Sequence, residues 1–152
     1  MDGKSRNVKG LGRLDHNWAN AMEEDHNWFA IQLENQIDLS VLFRHTEQGL
    51  GPLEGSFVGI SSPDGASAVE KQFQLEPLDL WQSPRTQKKY PSGWKFSVPQ
   101  KEMTLTILPV IKDQEGKLMG MSFWQGLCSV MGTVNGGTVK GIAFCMVQGY
   151  PK

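Results

Sequence analysis

A tight-turn signal near the C-terminus constrains the fold more than any other feature of the sequence. Asn135-Gly136-Gly137 separates two long runs of alternating side chains, Met121–Val134 and Thr138–Tyr150. Two-residue hairpin turns need positive φ angles, which Asn and Gly adopt most readily. We therefore expect the two runs to pair as an antiparallel hairpin.

Six further strand-like runs precede this hairpin, with Gly, Pro, Ser and Asp clusters between them. The 17 Gly and 8 Pro are spread along 152 residues, and no long segment keeps a helical period. This pattern predicts an all-β fold, either a sandwich or a closed barrel, with little helix beyond a short turn near 17–25. One domain is expected over 1–152, with 1–9 as a flexible arm. The six runs are Trp28–Glu34, Asp38–His45, Leu53–Ile60, Val69–Leu75, Gly93–Val98 and Met103–Val110.

The charge balance bears on possible partners and location. Fifteen basic and 16 acidic side chains leave a formal net charge of −1, which argues against nucleic acid as a partner. No apolar run approaches the ~20 residues that cross a bilayer. The polar N-terminus, Met1–Arg6, lacks the apolar core of a signal peptide. We therefore expect a cytoplasmic protein with no membrane span.

Neither the cysteines nor the histidines have the spacing of a metal site. Cys128 and Cys145 lack the C-x-x-C pattern, and His16, His26 and His45 fit no standard zinc pattern. The prediction is two buried, reduced thiols close together on one face of the hairpin. No metal and no cofactor is expected.

The two faces of the predicted hairpin differ sharply in side-chain size. Side chains alternate across a strand, so the pairing sorts large residues to one face and small residues to the other. The large face suggests the lumen of a ligand pocket, with a filled core as the alternative. The small face, whose one large member is Trp124, suggests an interface between two copies, so a homodimer is possible. The large face comprises Phe123, Gln125, Leu127, Ser129, Met131, Ile142, Phe144, Met146, Gln148 and Tyr150.

Several motifs, in order over residues 10–150, together resemble one family. They are Gly12-Arg13-Leu14-Asp15-His16-Asn17-Trp18, Trp81-Gln82-Ser83-Pro84-Arg85-Thr86 with Tyr90-Pro91 and Trp94, Pro109 with Asp113-Gln114-Glu115, Phe123-Trp124-Gln125-Gly126, and Gly149-Tyr150. The group they resemble is the carotenoid 1,2-hydratase (hydroxyneurosporene synthase)-like proteins. The resemblance implies a single lipocalin-like antiparallel β-barrel of about eight to ten strands, matching the C-terminal barrel of two-barrel members. Asp-His-Asn-Trp also recurs at 25–28, which we interpret as coincidence.

Relatives in this group include hydratases of isoprenoid double bonds and cyclases that perform Diels–Alder reactions. The resemblance places acids of the family at four positions where this chain has Asn17, His45, Gln125 and Met146, whereas Asp15 and His16 remain. A site without those acids suits a reaction that moves no obligatory proton, such as a cycloaddition.

The resulting hypothesis is a cofactor-free cyclase that folds a hydrophobic polyene, polyketide or terpenoid for a [4+2] cycloaddition. A hydratase or proton-transfer isomerase is the first alternative, and a non-enzymatic small-molecule carrier is the second. The candidate catalytic residues are Asp15, His16, His45 and Gln125. The candidate substrate-binding residues are Trp18, Phe43, Trp81, Tyr90, Phe123, Trp124, Phe144, Met146, Gln148 and Tyr150.

Overall fold

The computed structural model describes residues 3–10, 12, 14, 26–46, 48–49, 51–118, 120–148 and 150. The elements in these ranges are almost all strands. They are β1 (His26–Leu33), β2 (Asp38–Arg44), β3 (Phe57–Ser61), β4 (Ser67–Glu70), β5 (Gln74–Pro77), β6 (Leu80–Gln82), β7 (Lys89–Pro91), β8 (Trp94–Val98), β9 (Met103–Pro109), β10 (Glu115–Leu118), β11 (Met121–Val134) and β12 (Gly137–Val147). One 3-10 turn, Pro99–Lys101, is the only helical element in the described ranges.

Ten of the strands form one curled antiparallel sheet. Its order is β4-β3-β2-β1-β12-β11-β9-β8-β5, and β10 pairs with the first residues of β11. β6 and β7 form a separate two-stranded ribbon. The predicted all-β antiparallel fold is confirmed as a half-barrel of the lipocalin type. Closure into a complete barrel is not seen, since no ladder joins β4 to β5 in the described part of the chain.

The C-terminal hairpin forms where the sequence predicted it. Asn135 and Gly136 have φ angles of 49° and 74°, as a type I′ turn requires, and Val134 pairs with Gly137. β11 and β12 then pair along their length, with Leu127 opposite Phe144. The expected sorting of large and small residues onto two faces is therefore present.

The assignment of those two faces to inside and outside was wrong. The small face is buried, and Cys128, Ala143 and Val147 are 0% exposed. The large face points outward, and Phe144 is 49% exposed. The reason lies in the rest of the sheet: the interior is already filled by large side chains from other strands, among them Phe29, Trp94 and Phe96. Only small residues on the hairpin fit against them.

The predicted run Val69–Leu75 also divides into two strands at opposite edges of the sheet. β4 pairs with β3, whereas β5 pairs with β8.

The expected helical turn near 17–25 lies outside the described residues. Cys128 and Cys145 are both buried and free of a disulfide.

Candidate functional site

An apolar cavity of about 230 Å³ opens on the concave side of the sheet. It is somewhat smaller than the ~300–1,000 Å³ of drug-sized pockets, so it fits a small ligand or part of a longer one. Strands β1, β2, β5 and β8, the β6–β7 ribbon and the segment after β2 all contribute to it. The lining residues are Asn27, Phe43, Gln48, Gly49, Leu75, Pro77, Leu80, Lys89, Pro91, Trp94 and Tyr150.

Asn27, which is buried, and Tyr150, which is partly buried, form a polar pair in this lining. Nδ2 of Asn27 donates a hydrogen bond of 3.0 Å to the Tyr150 hydroxyl. Burial raises the pKa of Tyr150 to about 12, although the bond from Asn27 acts in the opposite direction. The phenol is therefore neutral near pH 7 and can donate its own proton to a ligand. Oδ1 of Asn27 has no hydrogen-bond partner among the described residues.

His45 lies directly behind this pair, where it is 1% exposed. Its ring centroid is 4.6 Å from that of Tyr150 and 6.0 Å from that of Phe43. Nδ1 lies 2.7 Å from the backbone oxygen of Thr46, which can only accept, so Nδ1 carries the proton. Nε2 has no hydrogen-bond partner within the described ranges.

Trp94 adds a third polar atom of this kind. The residue lines the cavity and is 1% exposed, with its ring packed edge-on to Phe29 at 5.1 Å. Its indole N–H, a donor only, is buried without an acceptor in the part of the chain that the structure describes. Buried polar groups normally have partners, so such atoms at a cavity indicate a place for a polar ligand group. Together these residues offer an acceptor, two donors and a proton-accepting nitrogen.

The β6–β7 ribbon covers one side of the cavity through Leu80, Lys89 and Pro91. A buried carboxylate, Glu115 on β10, holds this ribbon in place. Its side chain is 3% exposed. Its oxygens accept hydrogen bonds from Ser83 Oγ at 2.6 Å, from Thr86 Oγ1 and from Tyr90 OH at 2.8 Å.

Arg85 completes this arrangement, which we call the Glu115 clamp (Ser83, Arg85, Thr86, Tyr90 and Glu115). Its Nε lies 3.6 Å from Glu115 Oε2, and its Nη2 lies 2.8 Å from Oδ1 of Asp113. Burial alone would raise the pKa of Glu115, but the three hydroxyl donors and the guanidinium outweigh burial and hold that pKa below its usual value. The motifs around 81–91 and 113–115 thus meet in a structural cluster.

Three of the residues predicted from the sequence meet at the cavity. Phe43 and Tyr150 line it, and His45 stacks behind them. Trp81 and Tyr90 lie next to it in the ribbon, where their rings stack at 6.1 Å. Tyr90 is held by the clamp and does not line the cavity wall.

The other predicted residues of the hairpin do not line the cavity. Gln125 is exposed on the outer face, which corrects its interpretation as a donor in the pocket. Phe144 is half exposed on the same face, with Met146 and Phe123 partly exposed. Trp124 is buried in the core against Trp94, and its Nε1 donates to the Lys112 carbonyl at 2.7 Å.

Three further predictions concern residues elsewhere. Gln148 contacts His26, with its Nε2 3.1 Å from Nδ1 of the ring. Asp15, His16 and Trp18 lie outside the described residues. Within the described ranges, no three His, Cys, Asp or Glu side chains group together in a way that could hold a metal ion.

Asn27 is the cavity residue that the sequence interpretation most clearly missed. It belongs to the second Asp-His-Asn-Trp at 25–28, so this repeat was a signal that could have drawn attention to it. No comparable sequence motif marked the cavity residues Leu75, Pro77, Leu80 and Lys89. Single apolar or basic residues in short edge segments are common in all proteins, so they do not indicate a site.

The curled antiparallel sheet and its apolar concave cavity define a lipocalin-like protein. The chain belongs to the AttH-like family, which matches residues 1–150. The narrower resemblance to carotenoid 1,2-hydratases stays a prediction. No curated protein matches the chain significantly. In its described part, no helix is long and apolar enough to span a bilayer.

Two solved structures share this fold. A putative AttH protein from Nitrosomonas europaea superimposes with a TM-score of 0.73 at 18% identity, over 88% of this chain and 42% of the other. Kievitone hydratase from Nectria haematococca gives a TM-score of 0.68 at 18% identity, over 86% and 41%. The chain therefore spans less than half the length of either protein.

Proposed function

We propose that this protein is a hydratase-type enzyme that adds water to, or removes it from, a carbon–carbon double bond of a small hydrophobic molecule. The observation that carries the proposal is a set of buried polar atoms that have no partner among the described residues. Asn27 Oδ1 and Trp94 Nε1 belong to residues that line the apolar cavity, and His45 Nε2 belongs to a ring that packs behind Tyr150. The structural similarity to kievitone hydratase supports this chemistry over others.

Hydration joins the oxygen of water to one alkene carbon and a proton to the other. We assign to Nε2 of His45 the role of accepting a proton from water while the oxygen adds. The imidazolium then returns that proton through a water molecule to the second carbon, so the protons balance. His45 lies one ring away from the cavity, so water rather than the organic substrate is its assigned partner.

The remaining polar groups hold the substrate. The neutral hydroxyl of Tyr150, oriented by Asn27, donates to a substrate oxygen conjugated with the double bond, where negative charge develops during addition. Trp94 supplies a second donor. Asp15 and His16 stay candidates from the sequence for a further proton-transfer role.

The direct test uses a panel of hydrophobic enones in isotopically labelled water, with mass spectrometry of the products. We expect labelled oxygen in the product, and a loss of rate on the order of 10²-fold for His45→Gln and for Tyr150→Phe. His26→Gln is the matched control and should keep the rate, since the His26 ring contacts Gln148 rather than Tyr150. Ligand binding by folded protein without incorporation of labelled oxygen would contradict the hydratase.

A cycloaddition is the second candidate, because the described cavity lining contains neutral donors and no carboxylate. In that reaction Trp94 and Tyr150, rather than Gln125, would donate to the dienophile carbonyl. A pH–rate profile separates the two candidates. An obligatory proton transfer gives a limb near the pKa of its group, whereas a cycloaddition has a flat profile and tolerates His45→Gln.

A further inference from the structure

Lys89 is the single charged side chain among the described residues that line the cavity. The polar side chains that share this lining, such as Asn27 and Trp94, are neutral, and no Asp or Glu belongs to its described part. Ligand sites generally have an apolar wall with a few polar groups, and those groups decide which molecules bind and in which orientation. The charge of Lys89 is therefore a candidate determinant of substrate choice.

The β6–β7 ribbon presents Lys89 to the cavity. Neighbouring side chains of a strand point to opposite faces. Lys89 and Pro91 line the cavity together with Leu80, which pairs with Pro91 across the ribbon. Tyr90 lies between them in sequence and points the other way, where it donates to Glu115. The Glu115 clamp thus holds the strand that places Lys89 in the cavity wall.

Lys89 and the polar pair of Asn27 and Tyr150 lie at different depths of the cavity. Asn27 is 2% exposed, whereas Lys89 is exposed to solvent. A lysine carries its charge at the end of an apolar stem, which can lie along an apolar wall while the ammonium stays in water. The cavity therefore has a cation at its opening and neutral polar groups in its interior.

The ammonium of Lys89 has no counter-ion within the protein. Neither an ion pair nor a side-chain hydrogen bond joins it to another group in the part of the chain that the structure describes. Carboxylates next to the ribbon already have cations: Asp79 lies 2.7 Å from Lys112, and Asp113 lies 2.8 Å from Arg85. The charge of Lys89 is therefore available to a ligand.

We propose that Lys89 selects substrates in which an apolar body carries an anionic oxygen group, such as a carboxylate. This inference deepens the proposed function, because it rests on the same cavity being the substrate site. The anionic group binds Lys89 through a charge-assisted hydrogen bond, which is roughly twice as strong as a neutral one. The charged group stays at the opening, since an unpaired charge in the apolar interior would weaken binding. The opposite end of the substrate then reaches Asn27 and Tyr150.

The test is calorimetric binding of three probes of matched shape: phenylbutanoate, phenylbutanamide and phenylbutylamine. We expect the native protein to bind the carboxylate roughly 10-fold more tightly than the neutral amide, and the amine most weakly. Lys89→Met keeps an apolar stem and should abolish this preference, whereas Lys89→Arg should keep it. Lys89→Glu should reverse it in favour of the amine. Lys95→Met, at an exposed position on β8 outside the cavity lining, is the matched control and should bind like the native protein.

Three results would overturn the role of Lys89. They are equal affinities of the native protein for the carboxylate and the amide, a carboxylate preference that survives in Lys89→Met, and binding of none of the three probes. The measurement is separate from catalysis, because the probes contain no enone. A lack of labelled oxygen in the enone assay contradicts the proposed function, whereas the ratio of probe affinities alone decides the role of Lys89.

Discussion

The phenol of Tyr90 donates a hydrogen bond of 2.8 Å to Oε1 of Glu115, across 25 residues of sequence. Through this bond and those of Ser83 and Thr86, one carboxylate on β10 fixes the turn and strand β7 of the β6–β7 ribbon. Since the ribbon forms part of the cavity wall, the Glu115 clamp connects local stability to the shape of the ligand site.

Removing the charge of the clamp should destabilise the protein. Glu115→Gln keeps the size of the side chain, but its amide places two donors where the carboxylate only accepts. Hydrogen bonds to a charged group contribute about 1.5–3 kcal/mol each, although losses within one network do not add fully. We expect a loss of about 2–4 kcal/mol in the free energy of unfolding by urea titration. Glu76→Gln, at an exposed position on β5, is the control and should change stability by less than ~0.5 kcal/mol.

The contribution of Glu115 should vanish in acid. Its pKa is lower in the folded state than the usual 4.5, so the unfolded chain binds a proton first as the pH falls. The stabilisation is therefore complete above the unfolded pKa and is lost as the pH drops through the folded one. Urea titrations of the native protein and of Glu115→Gln should give curves that approach each other below pH ~4. A constant difference between pH 7 and acid would contradict the role of the ionised carboxylate.

The hairpin turn provides a test of backbone strain. Gly136 has a φ of 74°, which costs an L-residue with a Cβ roughly 1 kcal/mol or more. Gly136→Ala should therefore lower the free energy of unfolding by about that amount. Gly137→Ala is the matched control: its φ lies outside the positive region, and a Cβ there would meet Val134 O at 3.4 Å, an ordinary contact. Equal effects of the two substitutions would count against the type I′ turn.

The two cysteines should be unreactive in the native protein. Both are buried, and burial, with a further contribution from neighbouring Cys128, raises the pKa of the Cys145 thiol well above its ordinary value. Because only the thiolate reacts, a thiol reagent at neutral pH should label neither residue quickly. Both thiols should become titratable in denaturant. Rapid labelling of the native protein, or fewer than two thiols after unfolding without reductant, would be inconsistent with this arrangement.

Local signals in the sequence determined the strands and the pairing of the hairpin. Asn135-Gly136 can form only a few turn types, and alternation assigns each side chain of Met121–Val134 to one of two faces. These properties depend on neighbouring residues alone, which is why the all-β architecture and the sets of residues that share each face of the hairpin were predicted correctly. The short strands β6, β7 and β10 were not, since three or four residues carry too little pattern.

Only the tertiary structure decided which face of the hairpin is inside. Alternation divides the side chains between two faces but does not determine which face is buried. That choice depended on the interior volume that Phe29, Trp94 and Phe96, on distant strands, leave unfilled. That same packing brought Asn27, near one end of the chain, to the hydroxyl of Tyr150 near the other. Contacts over 123 residues reflect the curvature of the whole sheet, and no local pattern encodes them. The sequence determined which side chains were available for a site, and the fold decided that Gln125 would face outward while His45 and Tyr150 met at the cavity.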